Sequence, residues 1–311
     1  MRVTANTFPD SLLTQLGSLS QRQNKLQNQA ATGQLLQLPE DDPVAMRRVL
    51  DLQAEGKAIG QYQRNISRHQ ELANDSFSAM KGLKTISDRA RELAIAADGL
   101  KSQDELNIYA KEVTELIKQA VQTVNARNRG DYIFAGTLAN QPPFVMVTDA
   151  NDTVTSVTYQ GNGSLAESEI TNGVTLSSLA IGENNSGAGP RGLITDNRVG
   201  ADFFNHLISL QNNLLSGNVA AIETTTRLNL QSDEDNFLFH LGTNGAIQAR
   251  LGATSSNTTK RGDKVEALVS QEVDADIAQT IVRLTQTQTA YQAALQSAGR
   301  ILSTSLLDYL R

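Results

Sequence analysis

The 311-residue chain is 39% hydrophobic but only 5% aromatic, and it has no Trp and no Cys. The lack of Cys excludes disulfides, thiolate nucleophiles and cysteine-held metals, and a net charge of −6 gives no general basic surface for nucleic acid. That apolar content is thin for one thick core and fits long helices sharing narrow seams, in a chain long enough for about two or three domains.

No stretch approaches the roughly 20 apolar residues of a membrane span. The first ten residues lack the basic-then-apolar pattern of a cleaved secretory signal. The composition is that of a soluble protein, with export by a route without a cleaved signal left open.

Residues 8–33 carry a heptad-like stripe: Leu12, Leu16, Leu19, Gln23, Leu26, Ala30 and Gly33. Alternating steps of four and three put these residues on one face of a helix. The segment 38–43 interrupts, with Asp41 or Asp42 as N-cap and Pro43 in the next first turn. A second helix is predicted from Pro43 to about Ala97. Its stripe runs through Ala45, Val49, Leu52, Gly56, Ile59, Ile66, Ala73, Phe77 and Met80, then shifts to Leu83, Ile86, Ala90, Leu93 and Ala97. Asp98-Gly99 ends it. Ser102 and Glu105 form a predicted capping box for a third helix, with Leu106, Tyr109, Val113, Leu116, Ala120 and Val124 on one face. The short link makes helices two and three an antiparallel hairpin.

Helical periodicity fades from Asp131 to about Asn197. Pro142-Pro143, Gly161-Asn162-Gly163, Asn172-Gly173 and the 187–190 segment punctuate β-prone runs at 144–147, 154–159 and 174–176. Helical signals return at Phe203, Phe204, Leu207, Leu210 and Leu214, and again over 218–262, where Gly242, Gly245 and Gly252 weaken the pattern. The last stripe is Ile277, Ile281, Leu284, Gln288, Tyr291, Leu295, Ala298, Leu302, Ser305 and Tyr309.

The expected fold is mainly α, a long antiparallel helical bundle or coiled coil built from both termini, with a small β-rich insertion at the far end. The expected domains are a terminal helical assembly domain (1–42 with 270–311), a helical bundle (43–131 with 198–269) and the β insertion (132–197).

Charge density separates these regions. Residues 1–38 hold four charged side chains and residues 277–311 hold four, against 26 in the 89 residues from Pro43 to Asp131. A solvated helix usually carries many Lys and Glu. The ends instead place Gln, Thr, Ser, Asn and Ala around the apolar stripe, which suits contact on more than one side. Ordering a residue costs roughly 1–2 kcal/mol, and a buried Leu or Ile returns roughly 1.5–3 kcal/mol. One narrow stripe per end therefore leaves a weak margin, and the ends are expected to order on assembly. A plain intramolecular coiled coil has the same periodicity. The expected assembly residues are Leu12, Leu16, Leu19, Leu26, Ile277, Ile281, Leu284, Tyr291, Leu295, Leu302, Leu306 and Leu307.

Little else points to chemistry. His69, His206 and His240 show no metal-ligand spacing. Asp41-Asp42 and Asp274 with Asp276 read as helix caps and dipole partners rather than cation ligands. Gly161-Asn162-Gly163 precedes no helix, so it reads as a hairpin turn and not a phosphate loop. Arg261-Gly262-Asp263 matches an adhesion tripeptide but falls in a charged helical stretch. Arg127, Arg129 and Asp131, at the join to the insertion, suit either an intersubunit or interdomain salt bridge or a solvated cluster. No catalytic, cofactor-binding or metal-binding residues are assigned, and no enzyme is expected.

Several segments together resemble the flagellin superfamily over nearly the whole chain. Ala31-Thr32-Gly33 followed by Leu38-Pro39-Glu40-Asp41-Asp42-Pro43 is similar to that family's segment after the first helix. Tyr132-Ile133-Phe134-Ala135-Gly136 with Pro143-Phe144 resembles its most specific signature, and Tyr159-Gln160-Gly161 resembles an element of its β insertion. The stretch from Asp274 to Leu310 resembles its terminal helix. Asp41-Asp42 leads into Pro43-Val44-Ala45-Met46, which resembles the hook–filament junction branch rather than filament flagellins.

The resemblance implies a structural subunit between the hook-associated protein FlgK and flagellin, joined by coiled-coil polymerisation of its termini. It implies export, unfolded, through the flagellar type III apparatus to an extracellular place on the bacterial flagellum. It also implies a cytoplasmic export chaperone on the last helix, at Tyr291, Leu295 and Leu302. The alternatives are a filament flagellin or an adhesin using the β insertion.

Overall fold

The computed structural model describes the backbone of residues 7–309 and the side chains of residues 11–300. The chain forms two compact units: Met1–Ala58 with Arg261–Arg311, and Ile59–Lys260.

In the first unit, α1 (Thr7–Thr32) and α7 (Ile277–Tyr309) pack along each other. Their direction is fixed where their linkers meet. Gln34 and Asp274 form an antiparallel bridge, Leu35 N donates to Val273 O at 2.6 Å, and Ala275 N donates to Gly33 O at 2.8 Å. The end of α1 thus lies beside the start of α7. Gly33, at φ +72, turns the chain out of α1, a conformation that suits Gly because it lacks Cβ.

Asp42 caps α2 (Pro43–Ala96), its Oδ1 accepting from Val44 N at 3.0 Å and Ala45 N at 2.9 Å, with Pro43 in the first turn as predicted. Asp41 does different work. Its carboxylate takes Lys25 Nζ at 2.6 Å and the amides of Gln37 and Leu38 at 3.3 and 3.2 Å, closing the linker. The Lys25 ammonium and those amides hold its pKa below the ordinary carboxylate value. The first turns of α2 lie against the end of α6 (Arg227–Val273): Gly56 lies under Val265, and Arg48–Glu272 and Arg261–Glu55 are ion pairs.

In the second unit, α2 and α3 (Gln103–Val124) form the antiparallel hairpin, with Gly82 opposite Thr123 and Arg89 paired to Glu112. The Ser102–Glu105 capping box starts α3 as predicted. The α2 seam needs one correction. Phe77 is exposed, and buried Ser76 takes its place, so the stripe runs Ile66, His69, Ala73, Ser76, Met80, Leu83, Ser87, Ala90, Ala94 and Ala97. The predicted second stretch, Leu83, Ile86, Ala90, Leu93 and Ala97, is buried throughout, and Ala79, Ser87 and Ala94 are buried beside it where α2 meets both α3 and α6. Small polar residues hold seam positions that a hydrophobicity pattern skips.

The β-rich region contains four small sheets. Three are antiparallel pairs: β1 (Arg127–Asn128) with β2 (Asp131–Tyr132), β3 (Phe144–Thr148) with β4 (Val154–Tyr159), and β5 (Ser168–Thr171) with β6 (Val174–Leu176). In the fourth, β8 (Gly192–Asp196) lies between a parallel β7 (Ile181–Asn184) and an antiparallel β9 (Ala201–Asp202). Asn172-Gly173 is the β5–β6 turn, with Gly173 at φ +72.

Gly161-Asn162-Gly163 is not a hairpin turn, because β4 and β5 do not pair. Asn162 instead clamps the 135–137 backbone: its amide donates to Ala135 O at 3.1 Å, and its Oδ1 accepts from Thr137 N at 3.0 Å. Gly136, at φ +67, lies so close to Asn162 that a Cβ would collide with it. Two segments that looked like separate motifs in sequence are one packed turn.

Helix α4 (Phe203–Leu215) closes the core with Phe203 edge-on to Phe237 at 4.9 Å and Phe204 against Phe144 at 5.4 Å. A short α5 (Val219–Ala221) and a π-helical turn (Ile222–Thr226) lead into α6. Helix α6 runs unbroken through Gly242, Gly245 and Gly252.

Candidate assembly surface

On α1 the residues shielded by packing include Leu12, Leu16, Leu19, Gln23, Leu26, Ala30 and Gly33, which is the predicted stripe. On α7 the shielded positions include Thr280, Leu284, Thr287, Tyr291, Ala294 and Ala298. Gln288 is shielded as well, so these positions share Leu284, Gln288, Tyr291 and Ala298 with the predicted stripe but take the neighbouring column in place of Ile277, Ile281 and Leu295. Thr280 and Thr287 are small, and the Thr287 hydroxyl is satisfied within its own helix by Arg283 O at 2.8 Å. Small side chains let α1 approach closely along that column.

The residues displaced from the seam face outward. Ile277, Ile281 and Leu295 are 50%, 51% and 47% exposed. The predicted assembly set therefore divides in two. Leu12, Leu16, Leu19, Leu26, Leu284 and Tyr291 face the intramolecular seam, and Ile277, Ile281 and Leu295 form a column beside it. The side chains of Leu302, Leu306 and Leu307 lie outside the described residues.

Sequence reading missed further exposed apolar groups in this unit. Leu13 and Val282 lie off both stripes, and Leu35, Leu38, Val44 and Leu50 flank the Asp41-Asp42-Pro43 turn. Their signal was available: apolar residues at positions that neither heptad uses. Few charges dilute the α1 and α7 part of this surface, whereas Glu40, Asp41, Asp42 and Arg48 lie among the groups at the turn. Asp276 is spent on capping α7, its Oδ1 accepting from Gln279 N at 3.0 Å, and Asp274 accepts from the Ser270 hydroxyl. These exposed apolar groups on α7 lie among the uncharged polar side chains Gln279, Thr285, Gln286 and Thr289.

The titratable groups singled out in sequence do not converge. His69 lies buried between the Ser178 and Ser168 hydroxyls at 2.9 and 2.6 Å, and burial lowers its pKa. His206 pairs with buried Asp233 at 2.8 Å; burial opposes its charge, but the carboxylate outweighs it and raises the pKa. His240 Nε2 lies 3.0 Å from Gly192 O. Among the described residues no group of three or more His, Asp or Glu could hold a metal ion. No described helix is long and apolar enough to cross a membrane. Arg129 pairs with Glu71 at 2.5 Å, and Arg127 stacks over Tyr132. Asp131 forms no ion pair with either. Arg261 of the tripeptide is occupied by Glu55 within the helical unit.

The helical ends match known families. Residues 3–139 match the model of the bacterial flagellin N-terminal helical region, and residues 241–310 match that of the C-terminal helical region. No curated protein gives a significant match. The fold is shared with solved structures of low identity. A Vibrio parahaemolyticus protein assigned to the flagellar hook-associated class is 18% identical with a TM-score of 0.63, covering 75% of this chain and 100% of that one. FlgL of Xanthomonas campestris is 15% identical with a TM-score of 0.55, covering 69% and 98%. The flagellar junction protein FlgL of Legionella pneumophila is 14% identical with a TM-score of 0.51, covering 74% and 100%. With both terminal helical regions matched, over about two thirds of its length, the chain belongs to the bacterial flagellin family.

Proposed function

We propose that this chain is a structural subunit of the hook–filament junction, set between FlgK and the first flagellin subunits. The observation that carries the reading is the outward apolar column of Ile277, Ile281 and Leu295 on a charge-poor α1–α7 pair. Burying it against neighbouring copies, FlgK below and flagellin above, supplies the burial that a two-helix seam lacks. The FlgL-like fold and the Pro43 continuation after Asp41-Asp42 support the junction over the filament proper.

Tyr291, Leu295 and Leu302 are the proposed contact for a cytoplasmic export chaperone. Of these, Leu295 is exposed beside the α1–α7 seam and then serves two partners in succession, the chaperone before export through the type III apparatus and the neighbouring subunits after it. The chain's place is extracellular, on the flagellum. The test is a strain lacking the chain. It should swim poorly and spill unpolymerised flagellin into the medium; normal filaments in that strain would overturn the reading.

A further inference from the structure

A cavity of about 270 Å³ lies in the Ile59–Lys260 unit, between α6 and the segments 177–180 and 190–191 that flank β7. Its walls are mostly apolar, with Met80 from α2, Leu165, Leu179 and Pro190 from the β-rich region, and Phe239 and Ile247 from α6. The assembly reading makes no use of it.

The polar residues on its wall are Arg191, Asn244, His240, Thr243, Ser177 and Ser178, the last already bonded to His69. Arg191 is held from one side, with Nε donating to Asn236 Oδ1 at 2.6 Å and the guanidinium 4.3 Å from the Phe239 ring centroid. No carboxylate among the described residues forms an ion pair with it. Asn244 is 3% exposed and accepts from Gln248 Nε2 through Oδ1 at 2.8 Å, while its own Nδ2 finds no acceptor among the described residues. Thr243 and Ser177 add hydroxyls. His240 donates from Nε2 to Gly192 O, and burial pushes its pKa down to about 4, so the ring is neutral at ordinary pH. Arg191 is then the one charge on the wall.

A half-buried guanidinium without a counter-anion is costly, and its planar fork matches a carboxylate. A concave apolar site with a few convergent polar groups is the usual form of a small-molecule site. We propose that this cavity binds a small carboxylate with an apolar body, of the medium-chain fatty-acid class. The carboxylate sits on Arg191 and Asn244, and the chain lies among Met80, Leu179 and Ile247.

The test is calorimetric titration of the full chain with octanoate, octanol and octylammonium. Octanoate should bind at least about tenfold more tightly than either of the others. Arg191→Gln should erase that preference, and Arg191→Lys should keep part of it. Ala180→Phe, which fills the cavity, should abolish binding, with circular dichroism melts confirming that each variant folds. Equal affinity for octanol, octanoate binding that survives Arg191→Gln in a folded protein, or no octanoate binding at all would each overturn the proposal.

Discussion

The two units bury apolar surface in opposite ways. The Ile59–Lys260 unit encloses large side chains completely, with Phe203, Phe237, Leu83 and Ile117 all out of solvent. The α1–α7 pair fully shelters mainly small or polar seam residues such as Thr280, Thr287, Gln29 and Ala298, with Leu26 its one fully buried Leu among the described residues. Its larger apolar groups are half-buried or exposed. The contrast teaches that one unit has a core large enough to carry its own stability, while the other has a thin seam that fits the proposed burial against neighbouring subunits. Charge follows the same division, dense where a helix meets water and sparse where it meets neighbours.

The sharpest way to break this contrast is to charge the outward column. Leu295→Asp or Ile281→Asp should abolish assembly, read by electron microscopy of polymerised protein, while monomer stability changes by no more than about 0.5 kcal/mol. The charge would be buried only between subunits. Intact assembly, or a collapsed monomer, would contradict the division of Leu284 and Tyr291 inward from Leu295 outward.

The converse change lies in the self-sufficient unit. Leu83→Ala should cost about 2–5 kcal/mol in urea unfolding of the monomer, because it opens a cavity at a fully buried site. A loss below about 1 kcal/mol would show that this core is not close-packed.

A smaller effect depends on pH. The folded pKa of His240, at about 4, lies below the ordinary histidine value. A histidine depressed on folding favours the neutral form in the native state. Its contribution is therefore whole above about pH 6.5 and is lost as pH falls toward about 4. Over that window the native chain should lose on the order of 1–3 kcal/mol more than His240→Gln. Parallel stability curves for the two proteins would remove the histidine from the account. The smallest expected effect is at a cap. Ser102→Ala should cost about 1 kcal/mol through loss of the α3 capping box.

Much of this contrast was legible in sequence because it is written in local chemistry. Asp42 before Pro43, Ser102 before Glu105 and the α1 heptad each state a helix start or face without reference to distant residues. What was not legible depends on the partner. Hydrophobicity ranks Ile281 above Thr280, yet close approach by α1 favours the smaller side chain, so the seam takes the column that pattern reading rejects. The same choice put Ser76 inside and Phe77 outside. In the β-rich region, strands β5, β7 and β8 are only four or five residues long, too short to carry a clear alternation of apolar and polar side chains. Asn162 gave no sign of its grip on Thr137, because that contact joins residues 25 apart in sequence. The Arg191 cavity draws walls from both the β-rich region and α6, so neither segment alone announces it.

The central claim is that the ends need neighbours and the hairpin does not. Amide hydrogen exchange on the free monomer tests it most directly. Fast exchange over about residues 11–38 and 275–300, with slow exchange in α3 and the second half of α2, is the predicted result, and the ends should become protected on polymerisation. Ends as strongly protected in the monomer as α3 would contradict it.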